Sequence, residues 1–216
     1  MHRTPAFTAH RLGLIGLVLG AITACGPTFT DSTTDPADPA ASLISLSSAS
    51  LGPEVMKGLA VVRQATAAFH DVGVAIAAGY GAPAAMDCAS SPAGAMGVHS
   101  VRSGSFDQAV VPTEPEVLLY LPKKNGGFRL VGVEYLVPVL VRNNRTNVVS
   151  PWFDATHWGP GYTQVTPPPS VFGEVFEGPM PGHEPGMPWH YDKHVWVWET
   201  NPAGMFSQWN PSISCP

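Results

Sequence analysis

The stretch Trp189-His190-Tyr191-Asp192-Lys193-His194-Val195-Trp196-Val197-Trp198 constrains the fold more than any other. It holds two of the chain's eight histidines and three of its six tryptophans around one carboxylate. Side chains alternate faces along a strand. A β reading therefore sets His190, Asp192, His194, Trp196 and Trp198 on one side and Tyr191, Lys193, Val195 and Val197 on the other. The polar row then lies on an aromatic floor, with Trp189 and Trp196 as candidate pocket walls.

A second β signal is the hairpin formed by Glu116–Tyr120, a turn at 122–127 rich in Lys, Asn and Gly, and a long arm from Phe128 to Val141. Within the second arm, Leu130, Gly132, Glu134 and Leu136 share one face and Val131, Val133, Tyr135 and Val137 the other. Glu134 is thus a carboxylate in an apolar strand. Burying its charge is costly unless it pairs, with Arg129 or Arg142 for example, or meets a cation. Pro138 marks an interruption of the ladder or a sheet edge.

Ahead of these strands, Val55, Leu59, Val62, Thr66, Phe69, Gly73, Ile76 and Tyr80 recur at steps of three and four. That spacing predicts an amphipathic helix from Pro53 to Tyr80, packed across a sheet, with Gly73 allowing close approach. His70 and Asp71 flank the apolar seam as polar neighbours. The segment Ala82–Gly97 reads as a small-residue loop that delivers His99 to a site mouth. From Pro151 to Gly186, frequent prolines, glycines and aromatics predict a long ordered loop over the sheet, a pocket wall and candidate lid. His157 and His183 read there as ordinary loop histidines. Asn201–Gly204 reads as a turn, followed by a closing segment that folds back on the body. The fold class expected is α+β: an antiparallel β-sheet core, one N-terminal amphipathic helix and long ordered loops.

Only 12% of residues are charged, with 23 prolines and 22 glycines, which suits a loop-rich β body and not a helical bundle. Net charge is −5 and no basic stripe suggests nucleic acid as a partner. The chain opens with Arg3 and Arg11, an apolar run from Leu12 to Ile22, and Thr23-Ala24-Cys25. That run is shorter than the ~20 residues of a membrane span and has the flanks of a secretory signal. Ile22-Thr23-Ala24-Cys25 resembles the lipobox of bacterial lipoproteins. The resemblance implies a signal over residues 1–24, lipidation of Cys25, and anchoring in a bacterial cell envelope on the extracytoplasmic side. With Gly26 next, it implies the outer membrane if the cell has one. Residues 25–50, rich in Ser, Thr, Asp and Pro, read as a flexible tether. Residues 51–216 then form one globular domain of about 165 residues, ample for a core. The two remaining cysteines, Cys88 and Cys215, are expected to form a disulfide in an oxidising compartment.

His99, Glu134, His190 and His194 make a mixed imidazole and carboxylate set suited to zinc, iron, manganese or copper. Residues four apart on a straight strand stand about 13 Å apart, whereas residues two apart, at about 6 to 7 Å, can converge. Either the chain bends at His190 so that both histidines join, or a straight strand offers Asp192 and His194 and leaves His190 outside. His194 and Glu134 are the candidate catalytic residues in both cases, and Asp192 the candidate to orient an imidazole. Met96 and Met187, each three before a candidate histidine, add a copper option. No nucleophile elbow, phosphate loop, dinucleotide fingerprint, HExxH helix or CxxC pair is present. The function expected is a lipid-anchored metal-binding pocket, catalytic on a small molecule in one version; the alternative is a non-catalytic envelope lipoprotein that binds a ligand or protein. Gly132-Val133-Glu134-Tyr135-Leu136-Val137-Pro138, the histidine stretch, Asn201-Pro202-Ala203-Gly204-Met205-Phe206 and Trp209-Asn210-Pro211 together resemble a family of secreted bacterial proteins. The resemblance spans much of residues 70 to 215 and implies one compact domain; it brings no catalytic residue with it.

Overall fold

A curled six-stranded antiparallel sheet organises the chain, and the two strands that the alternation marks most clearly pair side by side within it. The computed structural model describes residues 51–153, 160–183 and 186–216. The expected signal, Cys25, the tether and His157 lie outside the described residues. Among those described, no helix is long and apolar enough to cross a membrane. The strands are β1 (Ala89–Ser91), β2 (Gly94–Val101), β3 (Val117–Pro122), β4 (Phe128–Pro138), β5 (Leu140–Asn143), β6 (Val149–Pro151), β7 (Tyr162–Gln164), β8 (Ser170–Val171), β9 (Glu174–Val175), β10 (Glu177–Met180) and β11 (His190–Val195). The main sheet runs β1-β2-β3-β4-β11-β10; β6-β5-β7 and β8-β9 are separate small sheets. The fold class is α+β, as the sequence predicts.

The hairpin closes as expected. Lys123 N donates to Gly127 O at 3.0 Å and Gly126 N to Lys123 O at 3.0 Å, across the turn between β3 and β4. Pro138 ends β4, and β5 starts two residues later in a different sheet, because proline has no amide hydrogen with which to continue the ladder. The facial pattern within β4 needs one correction. Leu119 pairs with Gly132 but Tyr120 pairs with Leu130, so Val131 is an extra residue in a bulge. The bulge reverses the phase: Leu130 packs with Val133 and Tyr135, whereas Val131 joins the face of Leu136 and Trp196. From Gly132 onward the alternation holds.

The sheet buries both faces. On one, Leu118, Tyr120, Tyr135, Val137 and Val195 meet Leu59 and Val62 of helix α1 (Pro53–Thr66). Pro53 occupies the first turn of that helix, where its missing amide hydrogen costs nothing. The helix does not run unbroken to Tyr80. A 3-10 turn covers Ala67–His70, and Asp71 starts a short second helix, α2 (Val72–Ala77), by accepting a hydrogen bond from Gly73 N at 2.8 Å. A capping aspartate outcompetes continuation of the first helix. The break shifts the apolar seam, so Ala75 is buried while Ile76 is 45% exposed. A Cβ at Gly73 would meet only its own cap, 3.1 Å from Asp71 Oδ1, so the glycine does not mediate close approach to the sheet. His70 instead meets the Trp198 ring edge-on at 4.4 Å.

Two loop expectations also change. Within Ala82–Gly97, β1 and the start of β2 form a hairpin, so His99 stands inside a strand and not at a loop tip. The long segment 151–186 contributes β10, which pairs with β11 and completes the main sheet. Trp198 leaves the expected face because β11 ends at Val195. Its Nε1 donates to Thr66 Oγ1 at 3.0 Å, and Arg63 Nε donates to Val197 O at 2.8 Å, binding α1 to the strand end.

Cys88 and Cys215 form the expected disulfide. The C-terminal segment folds back as foreseen, with Ala95 and Asn210 exchanging both backbone hydrogen bonds. Gly97 is the tight point of this corner. Its φ is +89°, and a Cβ there would lie 2.6 Å from Tyr120 O. Gly97→Ala should therefore destabilise the protein by on the order of 3 kcal/mol, through left-handed strain plus a backbone collision. Chemical denaturation checks this; a midpoint equal to that of the parent protein would remove the argument.

Candidate metal centre

Register explains why two distant histidines and one acid meet. Glu134 on β4 lies opposite His194 on β11 and opposite Val117 on β3, and β11 runs against β4 without a shift from His190 to Val195. Glu134 and His194 are therefore neighbours on one face. His99 on β2 pairs with Leu119 and reaches Glu134 across β3, over a floor that includes Val117 and Leu119. The curl of the sheet shortens that span.

His99 Nε2 lies 3.3 Å from Glu134 Oε2, and His194 Nε2 lies 3.8 Å from the same oxygen. The two imidazole rings are 5.7 Å apart and nearly perpendicular. One ligand atom from each of the three residues falls within 4.8 Å of the other two. Two ligands held about 2.1 Å from one tetrahedral ion stand about 3.4 Å apart, so the group needs only small adjustments to close on a cation.

Burial makes the group chemically unsettled without one. Glu134 and His194 are 3% and 1% exposed, and Glu134 Oε2, His194 Nδ1 and His194 Nε2 have no hydrogen-bond partner. Each unmade hydrogen bond costs about 1–3 kcal/mol. Arg129 does not neutralise Glu134, because it is bound to Glu199. Burial pushes the Glu134 carboxyl well above its usual range, and the charge and hydrogen bonding of Asp192, then the charge of Glu116, push it further. Burial lowers His194 well below the ordinary histidine value, assisted by the His99 charge, and lowers His99 to about 4. Both rings are neutral at pH 7 and keep a lone pair for a metal. A divalent ion would reverse the penalty on Glu134 by favouring its charged form.

The structure assigns the other sequence candidates different places. His190 does not join the triad: β11 is straight, so four residues separate it from His194 by more than one ion can bridge. Asp192 is 1% exposed beside Glu134, and burial followed by the Glu177 charge raises it to about 7. Trp196 is buried beneath the site, with its ring 6.4 Å from that of His194 and its Nε1 donating to Ser207 O at 2.6 Å. Trp189 stacks on Trp152 at 4.2 Å on the other core. Neither tryptophan lines the pocket, because the two indoles, which flank β11, are taken up by the cores on either face.

The pocket has a volume of about 490 Å³ and is walled by Met96, His99, Glu134, His183, Met187 and Trp209. His99 is 24% exposed and opens onto it. Met96 faces it because Ala89 pairs with Gly97 and Ser90 with Ala95, which leaves Met96 as the extra residue of a bulge. Sequence reasoning missed His183 and Trp209, single residues in irregular segments with no spacing signal. It also passed over Glu116, whose Oε2 accepts from Leu136 N at 3.0 Å and which burial raises to about 7. Its position at the head of an apolar strand was a usable sign. Against known protein families, curated proteins and solved structures, the chain finds no match.

Proposed function

We propose that this chain is a lipid-anchored extracytoplasmic protein that binds a divalent transition metal through His99, Glu134 and His194, and offers it to a small molecule in the adjoining pocket. The observation that carries the reading is the donor group itself: two neutral imidazoles and an acid from three strands, within 4.8 Å, with Glu134 Oε2 and both His194 nitrogens buried and without a hydrogen-bond partner. Zinc, iron, manganese and copper all accept this donor set, and the thioethers of Met96 and Met187 in the pocket wall add softness that favours copper. A bound ion supplies Lewis acidity toward an oxygen of the ligand. The chain's residues hold the donors on rigid strands, limit water and leave one open side. The lipobox-like leader and the disulfide support the compartment.

Protein purified without chelator should carry at least one equivalent of transition metal by elemental analysis. His194→Ala should remove one equivalent and weaken binding by at least 100-fold, with the circular dichroism of the sheet retained. Failure of the metal-free parent protein to take up any of the four ions, or unchanged binding in the variant, would sink the reading.

A further inference from the structure

Buried behind the pocket are more unpartnered ligand atoms than one ion uses. On the same face of β11 as His194, Asp192 and His190 are 1% and 0% exposed, and Asp192 Oδ1 and His190 Nε2 have no partner. His190 Nδ1 lies 3.1 Å from Pro188 O. A carbonyl oxygen only accepts, so Nδ1 carries the hydrogen and Nε2 the lone pair. An imidazole fixed by a backbone carbonyl with its other nitrogen free is the arrangement of a metal-ligating histidine. His183, a pocket wall residue, stands with its ring 5.4 Å from that of His190.

The Glu134 and Asp192 carboxyls hydrogen-bond to each other through a shared proton, and the neutral His194 ring brings one N–H, but His190 Nε2 has no donor facing it. The one proton shared by the two carboxyls does not serve His190 Nε2, a fully buried lone pair that a cation can fill. A cation meets several acceptors at once and offsets the carboxylate charge. Residues two apart on a strand, about 6 to 7 Å at their backbones, converge through their side-chain tips.

We propose that a second divalent transition ion binds beside the first, held by His190 Nε2, Asp192 Oδ1 and His183, so that the pocket is a two-metal centre. This rests on the reading of His99, Glu134 and His194 as the first position. Only that first group already lies within 4.8 Å of itself; the second requires the exposed His183, whose ring stands 5.4 Å from that of His190, to turn inward. The mixed imidazole and carboxylate donors select a borderline ion such as zinc, cobalt or manganese over calcium.

The test is titration of the metal-free full chain with Co²⁺, followed by calorimetry and visible absorption. The parent protein should bind two equivalents with distinct spectra. His183→Ala and Asp192→Asn should each weaken one equivalent at least 100-fold and keep the equivalent that His194→Ala removes. His183 is exposed, so its replacement leaves the fold intact. A single equivalent unaffected by either variant overturns the second position and leaves the first standing. Two equivalents retained in both variants also overturn it, since the second ion then lies elsewhere. No binding at all removes both readings together.

Discussion

Zinc added to metal-free protein at about a thousand times its Kd should raise the free energy of unfolding by about 4 kcal/mol at pH 7.5, and most of that gain should vanish by pH 5. The direction follows from the acids. Burial shifts both acids toward their protonated forms, Glu134 well above its usual range and Asp192 to about 7, so Asp192 takes up a proton as pH falls through neutrality. Zinc must displace such protons, and affinity should fall about tenfold per pH unit for each proton displaced. His99 and His190, lowered to about 4, stay neutral through this window and do not contribute. An ordinary surface histidine site would instead lose metal as its rings protonate near pH 6.5.

The same groups set the pH dependence of the metal-free protein. Asp192, at about 7 in the fold against 3.8 ordinarily, contributes stability that is present below about pH 4 and lost as pH rises through 7. His99, at about 4 against 6.5, contributes stability present above pH 6.5 and lost as pH falls through 4. The two effects oppose each other, so the metal-free protein should be most stable in mild acid, and zinc should move the optimum to neutrality. Thermal unfolding from pH 4.5 to 8 with and without zinc reads both shifts. Calorimetry at pH 6.5 in two buffers of different ionisation enthalpy should show proton release on binding. Zinc affinity that stays flat between pH 5 and 7.5 would show that neither acid is a ligand or neighbour of the ion.

The parts of this centre that were legible in the sequence are those that lie on strands with clean alternation. His194 and Glu134 were assignable because each sits in a run where period two is unmistakable, and their register follows once β4 and β11 pair. The arithmetic of strand rise also warned that His190 and His194 do not share an ion. His99 was a candidate for the right chemistry on the wrong element. Glycines and alanines between 82 and 97 look like loop, yet Gly97 is there because the sheet corner brings Tyr120 O against it. Bulges at Met96 and Val131 were not legible at all. A single extra residue leaves composition unchanged while turning every later side chain to the other face. Continuation of the helix past Ala67 failed for a similar reason: the apolar steps persist through Asp71, and only the cap interrupts them. His183 had no pattern to reveal it, since its relation to His190 exists only after β10 pairs with β11.

Removing the disulfide should be the costliest change outside the core. Cys88 and Cys215 are separated by 127 residues, and their bond fastens the segment before β1 to the chain's end. Cross-linking a loop of that length stabilises a fold by about 4–5 kcal/mol through the unfolded chain's lost freedom. A Cys88→Ala/Cys215→Ala double variant should therefore unfold at markedly lower denaturant, with a slope changed because its unfolded state is more expanded. The loss should be local in its chemical consequence. His99, Glu134 and His194 are held by β2, β4 and β11, whose ladders do not involve either cysteine. Trp209, by contrast, lies between the Ala95–Asn210 bridge and the turn at Asn201, where Asn201 Nδ2 donates to Trp209 O at 3.0 Å. Freed of the disulfide, that pocket wall should exchange amide hydrogens faster than β4 does, while zinc affinity at the triad changes by less than about threefold. Hydrogen exchange with and without zinc separates the two effects. Equal exchange at Trp209 in the parent protein and the variant, or a denaturation midpoint unmoved by the double substitution, would show that the bond closes a corner already held by packing alone.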